Sequence, residues 1–216
     1  MAYVLGFFAA DGCMTQNKRG GHFIEFHITD KDILEKMQLV LGSDHKISVR
    51  KRNDAWKKAY RLQIGSKEMF QDLLKLGMTP QKSSTLNFPQ VPKGYLADFV
   101  RGYFDGDGNV YANRYQRKGR KKLSRTLLTG FTSGSRDFLE ELDKNLKEKA
   151  GILGGSLFSR KTYFRLHYSV TDSCKLYQLM YNDKNALFLM RKKDVFEGYF
   201  FQRQMSKVQN IKQLDR

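Results

Sequence analysis

Apolar residues in this chain recur first at every second position and then at every third or fourth, and the changes of period mark its elements. Ile24, Phe26 and Ile28 alternate with Glu25 and His27, the pattern of a strand covered on one face. Thr29 or Asp30 then stands where a helix cap belongs, and Ile33, Leu34, Met37, Val40 and Leu41 form a helical stripe that stops at Gly42. Alternation returns in a hairpin. Ile47 and Val49 point one way and Lys46, Ser48, Arg50 and Arg52 the other; on the return arm Tyr60, Leu62 and Ile64 point inward and Arg61 and Gln63 outward, with Asn53-Asp54 at the turn. Another helix runs from Ser66 to Leu76 and ends at Gly77. Ahead of all these, from about Tyr3 to Asp11, lies a helix that is apolar on most sides and closes on an acid. The order is helix, two strands, helix, two strands, helix, and one-sided sheets packed on helices give an α+β fold.

The same plan is written a second time. V-L-G-F-F-A-A-D-G, Val4 to Gly12, returns as V-R-G-Y-F-D-G-D-G, Val100 to Gly108. F-H-I-T-D-K-D-I-L-E-K-M at Phe26 matches F-T-S-G-S-R-D-F-L-E-E-L at Phe131, and Y-R-L-Q-I-G at Tyr60 matches F-R-L-H-Y-S at Phe164. Phe164, Leu166 and Tyr168 again oppose Arg165 and His167. Ordered similarity of this kind is an internal duplication. It divides the chain into an αββαββα half at 1–78, an extended linker at 79–93 that holds Pro80, Pro89 and Pro92, and a second half at 94–216 lengthened by a basic insertion from Arg114 to Lys122.

Charge narrows the partner. Lys and Arg number 39 against 22 Asp and Glu, a net charge of +17, so a polyanion, above all a nucleic acid, is the expected ligand. The cations are interleaved with Tyr, Phe, Ser and Gln, which predicts a structured binding face instead of a basic tail. Cys13 and Cys174 are the only cysteines, too few for a disulfide framework or a zinc site. With no apolar run of membrane length and no signal-peptide pattern, the expectation is a soluble, intracellular protein.

The acids that close the repeated phrase are the candidate chemistry. Asp11 and Asp107 end their helices, where the macrodipole disfavours a negative charge by about 0.3–1 kcal/mol. Ala2, Gly6 and Ala10 in one helix and Gly102 and Gly106 in the other form stripes of small residues that let two helices meet backbone to backbone. Packed so, the two carboxylates emerge side by side, and one must hold a proton unless cations lie between them. Mg²⁺, a hard cation that prefers oxygen, suits that place and can activate water against a phosphodiester of DNA or RNA. A second metal reading starts from Asp105, Asp107 and Asn109, the opening of a calcium loop, and fails at Val110, where glycine is needed, and at Gln116, where glutamate is.

The two phrases, with L-A-D-F-V-R-G-Y-F-D-G-D-G around the second and T-P-Q-K-S after the first half, resemble the signature motifs of the LAGLIDADG homing endonucleases in their single-chain, two-repeat form. The resemblance covers essentially the whole chain. It implies pseudo-twofold halves whose motif helices form the interface and whose antiparallel sheets form a saddle along the DNA major groove. It also implies metals at Asp11 and Asp107, helped by the carbonyls of Ala10 and Gly106, and one cut per strand across the minor groove, leaving short 3′ overhangs. Mg²⁺ is the implied cofactor, with Mn²⁺ substituting and Ca²⁺ binding without cleavage. A sheet residue and a lysine around the water network map onto Gln63 and Lys82 and, in the second half, onto His167 and either Lys192 or Lys193. Asp105 faces only Ala9 across the repeat and is assigned no metal.

On the polar sheet faces Arg50, Arg52, Arg61, Arg160 and Arg165 are candidates for reading bases, while Arg114, Lys57, Lys58, Lys118 and Lys121 are candidate DNA contacts in loops and the insertion, with lysines there suited to phosphates. The expected protein is a monomer on double-stranded DNA, with no membrane and no obligate protein partner. An RNA maturase or a non-cleaving DNA-binding regulator is the alternative on the same fold. A whole-chain intein is not expected, since Leu214-Asp215-Arg216 lacks the His-Asn splice terminus.

Overall fold

The computed structural model describes residues 1–50, 58–119, 123–183 and 185–214, with side chains through 204. Helix α1 (Ala2–Asp11) leads directly into β1 (Gly12–Gln16) and β2 (His22–Ile28), followed by α2 (Lys31–Val40), β3 (Ile47–Arg50), β4 (Ala59–Gly65) and α3 (Lys67–Lys75). The second half repeats this as α4 (Leu96–Asp107), β5 (Gly108–Gln116), β6 (Leu123–Ser133), α5 (Arg136–Ala150), β7 (Ser156–Ser159), β8 (Phe164–Tyr168) and α6 (Val170–Tyr181). A long helix, α7 (Met190–Leu214), follows. Each half holds one antiparallel four-stranded sheet, in the orders β1-β2-β4-β3 and β5-β6-β8-β7.

Alternation along the strands does what the pattern requires. Ile24 and Phe26 of β2 and Leu62 and Ile64 of β4 are buried, while Glu25, His27, Arg61 and Gln63 occupy the other face. In the second sheet Leu127, Phe131, Leu166 and Tyr168 turn inward, and Phe131 meets Phe104 and Tyr168 edge to face. Asp30 is the N-cap of α2 without a side-chain bond to the helix; its carboxylate instead accepts from Arg191 Nε at 3.0 Å, tying the halves together. Ser66 and Ser135 do cap α3 and α5 with their hydroxyls.

The two halves meet along α1 and α4. A Cβ on Gly6 would stand 2.0 Å from the Phe99 carbonyl oxygen, and one on Gly102 would stand 2.0 Å from that of Tyr3. The contact is reciprocal, each glycine admitting the backbone of the other helix, as the small-residue stripes require. Both helices end at their acid because the next residue, Gly12 or Gly108, turns to extended backbone and starts a strand.

Two features go beyond the repeat pattern. The proline-bearing segment contains a 3-10 turn at Lys82–Ser84 and is packed down, with Leu86 buried and Phe88 against Phe99 and Phe138. Helix α7 has no counterpart in the first half. It is held by Phe196, Tyr199 and Phe200, of which Phe196 touches Phe104, Tyr177 and Tyr181. Among the described residues no helix is long and apolar enough to cross a membrane.

Candidate active site

The paired helix ends bring Asp11 and Asp107 together. A Cβ on Gly106 would lie 3.4 Å from Asp11 Oδ2 and 2.4 Å from the Ala10 Cβ, so the last turns touch. Asp11 is exposed and Asp107 half-buried, and neither carboxylate has a hydrogen-bond or ion-pair partner among the described residues. Lost hydration, then the charge of Asp11, pushes Asp107 up to about 6. Asp11 is also raised by lost hydration, an effect opposed by Lys192, Lys82, His27 and Arg191.

Two buried lysines compensate the helix ends. Lys82, 6% exposed, donates from Nζ to the Gly12 carbonyl at 2.5 Å and lies 5.1 Å above the Phe8 ring. Lys192, 7% exposed, donates to the carbonyls of Phe104 (2.5 Å), Asp105 (2.9 Å), Gly106 (3.3 Å) and Gly108 (2.7 Å), and lies 5.1 Å above Phe104. The two are pseudo-symmetric, each an ammonium at the negative end of a motif helix. Burial lowers both, Lys192 to about 8, with the nearby carboxylates pulling the other way. Lys193 turns instead to Glu197 at 3.4 Å, so the structure brings Lys192 to the helix end.

Gln63 and His167 occupy equivalent rungs, opposite Glu25 and Gly130. Gln63 Nε2 donates to Glu25 Oε1 at 2.7 Å, and that carboxylate also meets His27 Nε2 at 3.0 Å. Because Gly12 pairs with Phe26, the rung next to Asp11 belongs to His27, which the sequence reading passed over as the polar half of a strand. His167 Nε2 is buried without a partner, and burial, then Arg165 and Arg160, lowers its pKa. Asp105 stands apart from the acid pair: 1% exposed, it accepts from Tyr3 Oη at 2.7 Å and from the Leu189 amide at 2.8 Å, and burial pushes it up to about 6.

Among the described residues no group of three or more His, Cys, Asp or Glu is placed to hold a metal ion. The available donors are two carboxylates and the carbonyls of Ala10 and Gly106, close to the ends of α1 and α4 where helix carbonyls run out of intrahelical partners; the Gly106 carbonyl keeps a second lone pair beside its bond from Lys192. They are all hard oxygens, and they fit a hard divalent cation whose remaining positions are filled by water and phosphate oxygens.

The sequence profile of the LAGLIDADG-like domain matches residues 1–76 and again 94–185. The chain belongs to the LAGLIDADG family. No curated protein sequence matches it. Among solved structures it is similar to I-LtrWI, a LAGLIDADG homing endonuclease bound to target DNA, with a TM-score of 0.63 at 14% identity over 96% of this chain and 90% of that one. I-SmaMI, a LAGLIDADG homing endonuclease bound to cleaved DNA, gives 0.65 at 14% over 97% and 90%. I-SmaMI on an uncleaved target with calcium ions gives 0.63 at 13% over 97% and 92%. At these identities the likeness establishes the fold, the two-half α+β architecture of LAGLIDADG proteins.

On this LAGLIDADG scaffold Arg50, Arg61 and Arg165 share the sheet faces turned away from the helices, with Arg61 3.9 Å from Glu25 and Arg165 stacked 5.1 Å over Tyr163. Lys58, Lys118 and Arg160 are exposed beside strands or in turns. Arg114 is not on that face. Its strand parity is that of the inward Val110 and Ala112, and it donates to Gln202 on α7 at 2.8 Å. Arg52, Lys57 and Lys121 lie outside the described residues.

Proposed function

We propose that this LAGLIDADG protein is a monomeric, site-specific double-strand DNA endonuclease that hydrolyses one phosphodiester in each strand and leaves short 3′ overhangs. The observation that carries this is the pair of partnerless carboxylates, Asp11 and Asp107, at the junction of two halves whose sheets both present arginines. Solved structures of the same fold are homing endonucleases on target DNA, which supports the choice of substrate.

Asp11 and Asp107, with the carbonyls of Ala10 and Gly106, would hold divalent metal. Bound Mg²⁺ supplies polarisation of the phosphate, a more acidic attacking water and neutralisation of the departing 3′ oxygen. Mn²⁺ substitutes in this reading, and Ca²⁺ binds without cleavage. Lys82 and Lys192 hold the helix ends in register and add positive potential beside the acids. Gln63 and His167 face the groove from equivalent strands and contact the water network on either side. Arg50, Arg61, Arg160 and Arg165 contact base edges or phosphates, and Lys58 and Lys118 hold the backbone.

The test is a cleavage selection from randomised duplex DNA with Mg²⁺, beside Asp11→Asn and Asp107→Asn. Double-strand cleavage by the parent and its loss in both variants is the expected result. Variants that cut like the parent would refute the assignment, and a parent that binds one sequence but cuts with no divalent ion would favour a regulator.

A further inference from the structure

Of the described strand positions that face away from the helices in either sheet, one is acidic. Glu25 sits in the middle of the first sheet with its side chain 13% exposed, on a face otherwise built to meet phosphates. An uncompensated carboxylate there opposes DNA binding, and this one is compensated by two hydrogen-bond partners and a nearby cation. Gln63 Nε2 lies 2.7 Å away, His27 Nε2 3.0 Å and Arg61 Nη1 3.9 Å.

The bonds have a direction. An ionised carboxylate only accepts, so Gln63 must present its amide nitrogen to Glu25 and His27 must present Nε2 with its proton. The other ring nitrogen, Nδ1, has no partner among the described residues. The ladder sets His27 on the rung beside Asp11, because Gly12 pairs with Phe26; in the second half Gly108 pairs with Phe131, so the matching place beside Asp107 belongs to Thr132.

The second half cannot copy this arrangement. Gly130 occupies the Glu25 rung and Thr132 the His27 rung. A Cβ on Gly130 would stand 2.6 Å from Asn109 Oδ1 and 2.8 Å from His167 Cδ2, so those two side chains fill the space an acid would need.

We propose that Glu25 is a positioning residue for one of the two cuts: it orients His27 toward the water and phosphate at Asp11, and nothing in the second half does this at Asp107. The role rests on the endonuclease reading above. A second ligand-independent consequence is that Glu25 fixes which nitrogen of His27 carries the proton.

The experiment follows the two nicks separately, with each strand end-labelled, for the parent, Glu25→Ala, His27→Ala and Thr132→Ala on a duplex the parent cuts. Glu25→Ala and His27→Ala should slow the same nick about tenfold or more and leave the other within about twofold, with DNA affinity held. Thr132→Ala should leave that nick unchanged. Glu25→Gln, whose amide oxygen still accepts, should fall between parent and Glu25→Ala. In the DNA-free protein, ring-nitrogen chemical shifts should place the His27 proton on Nε2 in the parent and on either nitrogen in Glu25→Ala. Equal slowing of both nicks, no slowing of either, or His27 shifts that Glu25→Ala leaves unchanged overturns the proposal while the endonuclease reading stands. A parent that cuts neither strand overturns both.

Discussion

Gly6→Ala places one methyl group between α1 and α4. Its carbon would stand 2.0 Å from the Phe99 carbonyl oxygen and 2.9 Å from the Tyr103 amide nitrogen, where contacts below 3.0 Å are essentially unknown. Both obstacles are helix backbone, which cannot rotate aside, so the helices must part by about 1 Å, and close-packed interiors do not absorb such a gap locally. Phe7 and Tyr103, buried beside the crossing, then lose part of their contact. Overpacking typically costs about 1–3 kcal/mol, and rigid obstacles put this case at about 3 kcal/mol. For a chain of this size that lowers Tm by about 6–12 °C. Gly102→Ala meets Tyr3 and Phe7 in the same way and should cost the same. The double variant should cost less than the sum, because helices already parted accept the second methyl. Gly198→Ala in α7 is the internal control: a Cβ there meets nothing within 4 Å, so the same substitution should stabilise by about 0.5–1 kcal/mol. Urea and thermal unfolding measure all four. Gly6→Ala or Gly102→Ala within about 0.5 kcal/mol of the parent would refute the reasoning, since surface-like substitutions fall in that range.

Asp107, raised from 3.8 to about 6, favours folding below pH 3.8, and that contribution is lost as pH rises through about 6. Asp107→Asn should therefore stabilise the metal-free protein by about 1–2 kcal/mol at pH 7.5, after allowance for partial exposure, and by much less at pH 4; thermal melts at both pH values check it. Lys192→Met strips the ammonium from four carbonyls at the end of α4 and should cost about 2–3 kcal/mol in urea unfolding, more than Lys82→Met, which frees one, while Lys193→Ala stays near neutral. Tyr3→Phe removes the hydroxyl that Asp105 accepts from and should cost about 1.5–3 kcal/mol by the same assay. Duplex binding should weaken steeply between 50 and 200 mM salt, because many phosphates are neutralised; a nearly flat titration would contradict the extended basic faces.

Where the sequence was informative, the signal was periodic and repeated. The strand faces followed from alternation at Ile24 to Ile28 and Tyr60 to Ile64, and the helix crossing from Gly6 and Gly102, because these properties belong to spacing alone. What stayed hidden depended on geometry that spacing does not carry. The choice of Lys192 over Lys193 is a matter of helix phase in α7, an element without a partner in the repeat. His27 looked like an ordinary outward strand residue until the register with β1 set it beside Asp11. Arg114 counted as a loop cation, although β5 runs on through it and its parity turns it toward α7.

The bond from Tyr3 to Asp105 exists once, and the repeat shows why that matters. The residues at the corresponding places, Phe99 and Ala9, carry neither a hydroxyl nor a carboxylate. A dimer of two first halves would bury two tyrosine hydroxyls against alanines, and a dimer of two second halves would bury two aspartates against phenylalanines. Each half is thus complementary to the other and not to a copy of itself: the polar pair that joins them is completed only when one first half meets one second half.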